Sequence, residues 1–520
     1  MSLDQVSQNN TPVSASAPHL AKLDAFVRRS ASNDSSSLRA PRTRVVPPVD
    51  TGGAQRRYPR YVPAANVSQC LLDLALIGGS QVVVLSLIYS RLALVGLVQA
   101  TAVVAISIVT SMILLYATGC YRRDAILNRT TALSRVPTAL AISGSALFLV
   151  LHYGFPALFP SARVFWSISR CVTIVLVGTG VSLGAAIISR NVVRVLLHSN
   201  FFRRRILVVG TGQRARHIED ISHAHGSLQE IHFVSEDVLR PSVQARAADS
   251  PVPTIGELTD RFSVDEIVVA VDDRSRVALD SLLTCKARGV PVTEFNSYLE
   301  RQTGRVELAW LELPWLIHTP GFQFRLIDDG VKRVMDIVLS LTALIISLPV
   351  LVVAMIAIRL DSPGSVIYRQ QRVTRGGRVF WLYKLRSMRI DAELNGAKWA
   401  AENDPRITKV GNFLRRSRLD EIPQLVNILV GDMSIVGPRP ERPCFVDDLS
   451  RQLRLYDLRH TVRAGLTGWA QINYHYGASL EDAQRKLEYD LFYIKNFSLL
   501  RDLGIMLQTL RVVLWPEGVR

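Results

Sequence analysis

Two adjacent carboxylates, Asp420 and Glu421, stand in a strongly basic stretch of the chain, RRSRLDEIPQL at 415–425. The apolar residues after the pair recur at helical spacing and predict a helix over about 421–430. One interpretation of the pair is therefore structural. Asp420 would be the N-cap of this helix, and Glu421 would suit the positive end of its dipole.

The same position also suits catalysis. A helix N-terminus together with arginines favours the ionised form that a carboxylate nucleophile needs, and it attracts phosphate. Attack of Asp420 on phosphorus would give an acyl phosphate, while Glu421 could hold Mg2+ against a pyrophosphate. Arg439 lies between two prolines and could form paired bonds to phosphate oxygens or simply occupy a turn. These residues alone leave both interpretations open.

The bulk composition limits the class of partner. The chain has 520 residues, is 48% hydrophobic, has a mean hydropathy of +0.19 and carries a net charge of +17. Basic residues in so apolar a protein favour an anionic membrane surface or phosphate ligands. Because the sequence has no helix-turn-helix, zinc-finger or aromatic RNA-binding signature, we expect no nucleic-acid partner. The five scattered cysteines form no CxxC pair and indicate a reducing compartment.

Four long apolar stretches follow a polar, basic tail, residues 1–65, which is predicted to be disordered and cytoplasmic. Each approaches the roughly 20 residues that cross a bilayer, so residues 66–190 are predicted to form four transmembrane helices. The stretches cover about 67–90, 92–116, 135–155 and 165–189. Arginines are concentrated before the first, between the second and third, and after the fourth. This pattern predicts that both ends of the bundle lie in the cytoplasm.

The fourth stretch contains GVSLG at 180–184, which matches the nucleophile motif of hydrolases. That motif needs a strand–turn–helix setting, whereas this one lies in the middle of a predicted membrane helix. We therefore interpret Gly180 and Gly184 as a close helix-packing face.

Residues 200–300 alternate between predicted buried strands and helices, which indicates a Rossmann-like α/β cytoplasmic domain. The first strand ends in Gly-Thr-Gly at 210–212, and Ala215 replaces the third glycine of a dinucleotide fingerprint. The acidic residue that would bind a ribose cannot be located. The domain either binds a nucleotide or is a structural or regulatory module. A connector is predicted over 301–330.

A fifth apolar run, 332–364, differs from the first four. Pro349 interrupts a helix that is predicted over about 334–358, and a proline there would kink or break it. Both flanks are basic, with Lys332 and Arg333 before the helix and several arginines after it. A re-entrant helix that breaks at Pro349 keeps both flanks inside, whereas a fifth crossing places one outside. The run by itself leaves both topologies open.

Residues 331–520 resemble the catalytic domain of bacterial polyprenyl-phosphate sugar-1-phosphate transferases. The resemblance rests on ordered motifs: Lys-Arg-x-x-Asp at 332–336, the proline-interrupted helix, YKLRSM, LDE, GDMSIVGPRP, GLTGWAQIN and YDLFYIKN. With the four spans and the α/β domain, the chain is similar to the large, membrane-embedded branch that starts exopolysaccharide or O-antigen repeat units. Its C-terminal part is similar to the transferases of PEP-CTERM exopolysaccharide systems.

The resemblance implies a fold of three parts: the four-span helical bundle, the Rossmann-like domain and a mixed α/β monotopic catalytic domain with a re-entrant helix. It implies a location at the cytoplasmic face of the bacterial inner membrane, in contact with its lipids. The implied reaction transfers a sugar-1-phosphate from a UDP-sugar to undecaprenyl phosphate and releases UMP. The identity of the hexose and the formation of a homodimer stay open.

The resemblance also implies roles for individual residues. Asp420 would be the nucleophile that forms a phosphosugar intermediate, Glu421 would help to bind Mg2+, and Asp490 would assist the metal or the second step. The residues expected to bind the diphosphate, the lipid phosphate or the nucleotide are Lys384, Arg415, Arg439, Arg463, Gln471 and Asn473. The motif at the start of the re-entrant helix contributes Lys332, Arg333 and Asp336.

Two departures from the family pattern stand out. The usual Ser-Pro at the helix break is Leu348-Pro349 here, with Ser347 one place earlier, and the usual Arg-Pro-Gly is Arg463-Ala464-Gly465. Among other enzyme classes, a membrane-anchored nucleotide-sugar dehydratase or epimerase would need a Tyr-x-x-x-Lys pair, which the sequence lacks. A membrane scaffold with an inactive transferase domain is the non-enzymatic alternative, and the intact acidic pair argues against it.

Overall fold

The computed structural model describes most of the chain after residue 63. The described residues are 64–89, 97–122, 125–126, 129–158, 167–199, 203–224, 229–239, 253–273, 277, 279–322, 326–389, 405–474, 477 and 479–514. The predicted tail lies outside them except for its last two residues, which begin the first helix.

Four long helices form the N-terminal region, and they occur where the sequence predicts them. Their bounds are α1 Ala64–Tyr89, α2 Leu97–Ala117, α3 Arg129–Leu149, which continues through a π-helical turn Val150–Gly154 into α4 Phe155–Leu158, and α5 Ile168–His198. Three stretches in them are long and apolar enough to cross a membrane: Asn66–Val84, Thr130–Gly154 and Ile168–Leu197. The apolar part of α2, Thr101–Ala117, is shorter.

Polar side chains hold α1 against α5. Asp73 is fully buried and pairs with Arg190 at 3.1 Å, and the Gln69 amide donates to both Asp73 and Ser189. Because a buried charge is costly without a partner, this pairing favours one register between the two helices.

The glycines at the helix contacts differ from those predicted. A Cβ on Gly144 would lie 2.6 Å from the Thr179 hydroxyl, and one on Gly178 would lie 3.2 Å from the Gln81 amide. A Cβ on Gly180 or Gly184 would meet no described atom within 4 Å. The interpretation of Gly180 and Gly184 as a packing face is therefore wrong within the described chain, because α5 turns its Gly144-facing side inward instead.

A four-stranded parallel sheet follows, with strand order β2-β1-β3-β4. The strands are β1 Arg204–Val209, β2 Gln229–Val234, β3 Glu266–Val269 and β4 Val292–Glu294, and the helices are α6 Gln213–Ala224, α7 Ile255–Phe262, α8 Leu279–Ala287 and α9 Phe295–Thr303. Residues 206–209 of β1 are fully buried, as expected when helices cover both faces of a parallel sheet. The predicted α/β character of this region is confirmed.

The N-terminus of α6 holds a carboxylate from the chain itself. Asp272, which follows β3, accepts the backbone N–H groups of Gln213 at 2.8 Å and Arg214 at 3.2 Å. Gly212 allows this approach, since a Cβ there would lie 2.0 Å from an Asp272 carboxylate oxygen. This is the place at which Rossmann folds bind a phosphate.

Residues 301–514 contain the predicted catalytic domain and its connector and are called the catalytic segment. This segment is built from one long helix, two small sheets and several helices. After a short helix α10 Leu313–His318, its elements are α11 Leu326–Asp361, β5 Ile367–Val373, β6 Val379–Leu385, α12 Lys409–Arg416, α13 Gln424–Val430, β7 Met433–Val436, α14 Pro443–Gln452, β8 Ala464–Thr467, α15 Trp469–Asn473, α16 Leu480–Lys495 and α17 Leu499–Leu514. β5 and β6 form an antiparallel hairpin, and β7 pairs with β8 in parallel.

The predicted connector packs into the core of this segment. Val306, Trp315 and Leu316 belong to a buried cluster with residues of α14 and α16, such as Leu449 and Leu491. The described part of the connector therefore contributes to the core of the catalytic segment.

Both ends of α11 contact the catalytic segment. Near its start, Lys332 forms a buried ion pair with Asp502 on α17. At its end, the Asp361 carboxylate accepts the Val410 N–H at 3.2 Å. The helix is longer than the predicted 334–358, and it continues through Pro349 without a gap. A proline removes one backbone hydrogen bond and can bend a helix without ending it, so a continuous helix is compatible with a bend at Pro349. The re-entrant topology stays a prediction.

Candidate active site

The acidic pair lies in a 3-10 turn, Leu419–Glu421, directly before α13. The α-helix itself has Pro423 as its N-cap. Because Pro423 has no N–H, the Leu419 carbonyl accepts from Ile422 instead, at 3.3 Å. The prediction that Asp420 is the N-cap of a helix over about 421–430 is therefore wrong, although a shorter helix is present.

An unusual backbone conformation leads into this turn. Arg418 has a φ of +59°, in the left-handed region that non-glycine residues rarely adopt. The chain thus reverses directly after α12, and the Arg418 side chain comes within 3.9 Å of Glu421. Such strain is typical of functional sites, where the surrounding structure maintains it.

Three cations converge on one oxygen of Glu421. The Lys384 ammonium lies 3.3 Å, the Arg439 guanidinium 3.2 Å and the Arg418 guanidinium 3.9 Å from Oε1. Burial opposes the ionisation of Glu421, but Lys384, Arg439 and Arg418 outweigh it and hold the pKa of this carboxyl well below its usual range. The cluster keeps Glu421 charged and carries more positive than negative charge.

Asp420 has a different environment, although it is the next residue. Only 8% of it is exposed, and burial raises the pKa of its carboxyl while the charges of Lys384 and Arg415 oppose the rise. The sequence-based expectation that the local field alone keeps Asp420 ionised is therefore incomplete. A carboxylate of raised pKa next to cations is a stronger nucleophile once it is ionised, because nucleophilicity rises with basicity.

Lys384 reaches the pair because α13 is tied to the β5–β6 hairpin. The Asn427 side chain donates to the Trp381 carbonyl at 2.7 Å and accepts the Tyr383 N–H at 3.1 Å. Asn427 is fully buried, so both of its polar groups need these partners. This clamp fixes β6, and hence Lys384, beside the turn that carries Glu421.

Arg439 is positioned by a close backbone contact between two glycines. A Cβ on Gly437 would lie 2.3 Å from the Arg463 carbonyl, and one on Gly465 would lie 2.1 Å from the Gly437 nitrogen. Only glycine allows the two chain segments to approach so closely. The contact holds the Pro438–Pro440 loop, which aims Arg439 at Glu421.

A second charged group lies behind this loop. Asp490 on α16 is almost fully buried and accepts a bond from the Arg459 guanidinium at 3.0 Å. The same guanidinium donates to the Arg439 carbonyl at 2.9 Å. Burial raises the pKa of Asp490 to about 6, although Arg459 opposes this rise. Asp490 is therefore connected to the acidic pair through Arg459 and Arg439.

The remaining predicted ligand-binding residues have other contacts. Arg463 pairs with Asp329 at 3.0 Å, and the Asn473 side chain accepts from Arg122 of the helical bundle at 3.0 Å. Gln471 donates to the Leu466 carbonyl at 3.1 Å. The predicted substrate-binding roles of these three residues stay predictions.

The motif that begins α11 joins the helix to the catalytic segment. Arg333 donates to the carbonyls of Ile428 and Leu429, where α13 ends, and Asp336 accepts the Ile435 N–H at 3.0 Å. A cation at a helix C-terminus satisfies free carbonyls and suits the dipole. These residues, together with Lys332, have a structural role.

The fit of the site to Mg2+ depends on Glu421. Mg2+ is commonly held by one or two protein carboxylates together with substrate phosphates and water. Glu421 is a protein carboxylate that could hold the ion in this way. Asp490 is buried against Arg459. Within the described ranges, no three acidic, histidine or cysteine side chains form a group that could hold a metal ion. A metal site shared by Glu421 and Asp490 stays a prediction.

Comparison with known proteins identifies the domain that contains this cluster. Residues 327–516 match the family model described as bacterial sugar transferase. A UDP-glucose:undecaprenyl-phosphate glucose-1-phosphate transferase of Klebsiella pneumoniae is 31% identical over 400 residues, which cover 72% of this chain and 81% of that protein. The chain belongs to the bacterial sugar transferase family. The family that the sequence motifs predict is thereby confirmed.

Other bacterial sugar transferases match shorter parts of the chain. A UDP-N-acetylgalactosamine-undecaprenyl-phosphate N-acetylgalactosaminephosphotransferase of Aeromonas hydrophila is 40% identical over 242 residues, or 46% of this chain and 56% of that protein. A UDP-glucose:undecaprenyl-phosphate glucose-1-phosphate transferase of Escherichia coli K12 is 44% identical over 180 residues, or 34% and 39%. The chain thus spans about half or less of these two relatives.

Two residues of the site, Arg418 and Arg459, were not predicted from the sequence. Arg418 lies in the quoted RRSRLDE stretch, but its left-handed backbone has no sequence signal, since such residues are mostly glycine or asparagine. Arg459 stands 31 residues before Asp490, so only the fold brings them together. Both residues belong to the candidate active site.

Proposed function

We propose that the protein transfers a sugar-1-phosphate from a UDP-sugar to undecaprenyl phosphate and releases UMP, through a covalent aspartyl-phosphosugar intermediate at Asp420. This would be the first membrane step in the synthesis of an exopolysaccharide repeat unit. The proposal rests on the relatives' substrates and on one feature of the site. That feature is a buried carboxylate beside a cluster of cations that a single glutamate does not neutralise.

The excess positive charge fits a diphosphate. Lys384, Arg418 and Arg439 surround Glu421, and Arg415 adds to the potential at Asp420. Guanidinium groups bind phosphate oxygens through paired, charge-assisted hydrogen bonds. In a partly buried site, such groups stabilise the charge that develops on a transferring phosphoryl group.

The proposed reaction has two displacements at the same phosphorus. In the first, a carboxylate oxygen of Asp420 attacks the phosphorus next to the sugar, and the bond to the bridging oxygen breaks, so that UMP leaves with the electron pair. In the second, an oxygen of undecaprenyl phosphate attacks that phosphorus and Asp420 leaves as a carboxylate. The product is a sugar linked to undecaprenyl diphosphate, and neither displacement needs an oxidant or reductant.

The residues divide this work between them. Asp420 supplies the nucleophile, while the cations around Glu421 orient the diphosphate and neutralise the leaving group. Bound Mg2+, held by Glu421, would supply further charge neutralisation. Asp490 lies behind the Arg439 loop and would assist the second displacement.

We also propose that α11 is re-entrant or lies in one leaflet, with both ends on the cytoplasmic face of the inner membrane. A straight helix of 36 residues is about 54 Å long, enough to separate its ends by a whole bilayer. Both ends nevertheless contact the same polar domain, through Lys332 at the start and Asp361 at the end. The proposal keeps this domain next to the head group of a lipid phosphate.

The parallel sheet is proposed to be a Rossmann-like module with a structural role. Its strand order and the glycine loop after β1 agree with such a fold. The Asp272 carboxylate already accepts the N–H groups that would bind a phosphate. This supports the structural alternative over nucleotide binding.

The covalent mechanism is tested with a UDP-sugar in the absence of the lipid acceptor. We expect the wild type to release one equivalent of UMP and to gain the mass of a phosphosugar on the peptide that contains Asp420. Asp420→Asn should show neither event and should lower turnover with acceptor by about 10³-fold or more. Asp447→Asn, an exposed carboxylate on α14, is the matched control and should behave as the wild type.

Near-normal turnover of Asp420→Asn would contradict the nucleophile assignment. If the wild type turns over but releases UMP only when acceptor is present and forms no adduct, transfer is direct and the covalent intermediate is wrong. A screen across UDP-sugars with the same readout identifies the hexose.

The topology of α11 is tested by labelling single cysteines, in a background without the native cysteines, with a membrane-impermeant maleimide. Gly330→Cys and Ser365→Cys place exposed thiols in the first turns of the helix and just after its end. We expect both to be protected in intact spheroplasts and labelled in inverted membranes. Opposite accessibility of the two positions would establish a full crossing.

A further inference from the structure

Arg459 is a buried cation close to the candidate site that the proposed mechanism has not used. Its guanidinium donates to the Asp490 carboxylate at 3.0 Å, to the Arg439 carbonyl at 2.9 Å and to the Tyr456 hydroxyl at 2.5 Å. Arg459 is 7% exposed and Tyr456 is 2% exposed. An arginine so deeply buried loses its hydration, and the three acceptors replace the lost hydrogen bonds.

These contacts connect the two halves of the candidate site. The Arg439 side chain contacts Glu421, while the Arg439 carbonyl contacts Arg459 and so reaches Asp490. Each link is a direct hydrogen bond or ion pair. Hydrogen bonds and ion pairs therefore connect Glu421 to Asp490 without interruption.

The fold makes Arg439 depend on this support. Arg439 stands between Pro438 and Pro440, and prolines have no N–H with which the loop could form its own backbone hydrogen bonds. Three donors hold the loop instead, one at each of its carbonyls. The Gly465 N–H donates to the Pro438 carbonyl at 2.8 Å, Arg459 to the Arg439 carbonyl at 2.9 Å and Arg372 to the Pro440 carbonyl at 3.0 Å. Arg459 is the donor that bonds the carbonyl of Arg439 itself and also the Asp490 carboxylate, so its loss would free the residue that contacts Glu421.

We propose that Arg459 is a positioning residue that holds the Arg439 loop and the Asp490 carboxylate in one rigid frame, so that both steps of phosphosugar transfer occur at a single phosphorus position. The proposal deepens the proposed function and rests on it. Arg459 touches no reacting atom and acts through Arg439 and Asp490.

The charges around Asp490 predict how the pH dependence of activity should change when Arg459 is replaced. Asp490 faces Arg459 and Lys486, which favour its ionised form, and Glu441, which opposes it. Burial already raises the pKa of Asp490 to about 6, so removal of Arg459 should raise it further. The carboxylate is active when it is ionised, and therefore the acid limb of the pH–rate profile should move to higher pH.

The experiment compares Arg459→Gln and Arg459→Lys with Arg386→Lys in membranes that contain the full-length protein. Arg386 is a matched control because it is equally buried and donates to the carbonyls of Ser362 and Pro363. We expect Arg459→Gln to move the acid limb of kcat/KM upward by roughly one to three pH units. Arg459→Lys keeps a charge but cannot reach all three acceptors, so it should lower kcat with a smaller shift of the limb.

The control separates positioning from folding. Arg386→Lys should lower thermal stability and leave the acid limb unchanged. The proposal is overturned if folded Arg459→Gln and Arg459→Lys proteins keep the wild-type limb and kcat, or if Arg386→Lys moves the limb as far as they do.

A second readout does not depend on activity. In a double-mutant cycle, the apparent Tm of the wild type, Arg459→Lys, Asp490→Asn and the double variant is measured between pH 5 and 8. Because the folded-state pKa of Asp490 lies above its unfolded value, its stability contribution falls as pH rises through about 6. We expect this fall to extend to higher pH in Arg459→Lys and to be absent in the two variants that carry Asp490→Asn.

The two readouts distinguish the inference from the proposed function. If the wild type releases no UMP from any nucleotide sugar, the proposed function fails, and the Tm cycle still decides whether Arg459 sets the state of Asp490. Additive Tm changes at every pH would overturn the coupling, whatever the activity.

Discussion

The parallel-sheet module and the catalytic domain both bring positive potential to a carboxylate, but they balance it differently. At the start of α6, Asp272 accepts two backbone N–H groups and lies 3.9 Å from Arg214, so one internal anion fills the place of a phosphate. At Glu421, three cations meet one carboxylate oxygen. The first arrangement is complete without a ligand, whereas the second has positive charge left for an anionic substrate. The balance of charge therefore shows which of the two sites suits an anionic ligand, whereas the presence of a sequence motif does not.

In the comparison of the two charged sites, the largest expected effect concerns the cations that gather around Glu421. Lys384→Gln or Arg439→Gln should lower kcat/KM by about 10²–10³-fold, because each removes a charge that is aimed at the diphosphate. Arg214→Gln, which removes a cation from the balanced site, is the counterpart and should leave turnover per folded molecule unchanged. The rate of UMP release in membranes measures the activity of all three variants. Equal losses at Arg214 and Lys384 would contradict the comparison.

The next effect concerns the metal. Chelation by EDTA should stop UMP release, and Glu421→Gln should raise the Mg2+ concentration for half-maximal activity by roughly 10- to 100-fold. We expect this because Mg2+ is bound through carboxylates, and the proposed mechanism assigns that role to Glu421. Turnover that is insensitive to EDTA in the wild type would exclude this role of Glu421.

A smaller effect is expected from pH. Since burial raises the pKa of Asp490 to about 6, kcat/KM should rise with pH through that value as the carboxyl ionises. Asp490→Asn should lower activity at pH 8 and remove this limb. A limb that persists in Asp490→Asn belongs to another group, and the buried Asp420, whose pKa is also raised, would be the next to test.

The smallest effect is expected at the balanced site. Asp272→Asn should leave UMP release unchanged and lower the free energy of unfolding by about 1 kcal/mol, as for the loss of a helix cap. Asp260→Asn is its control, because the Asp260–Arg288 pair is exposed and surface pairs contribute little. Urea unfolding measures both. A large loss of turnover in Asp272→Asn would show that the module takes part in catalysis.

The sequence was sufficient for the elements whose signals are local. Long apolar runs predict α1, α2, α3 and α5, since a helix must satisfy its own backbone in lipid. Alternation of strands and helices predicts the α/β region, and ordered motifs identify the family. The LDE pair, Lys384 and Arg439 were also predicted, because each lies inside such a motif.

Features that depend on distant partners were not predicted. The packing glycines proved to be Gly144 and Gly178, because the rotation of α5 depends on the helices that contact it. Asp420 is not a helix cap, because Pro423 moves the start of α13. Arg463 contacts Asp329, which lies 134 residues away, and no local pattern indicates that pair.

By itself, the sequence determined which residue types are available for the proposed phosphosugar transfer and which segments must be helical or buried. The tertiary structure alone decided how charge is shared among them. It gave Glu421 three cations, buried Asp420 and placed Arg459 between Asp490 and the Arg439 loop. The physical reason is that burial and short-range Coulomb interactions set the ionisation of a carboxylate. Both depend on distances that only the folded chain defines.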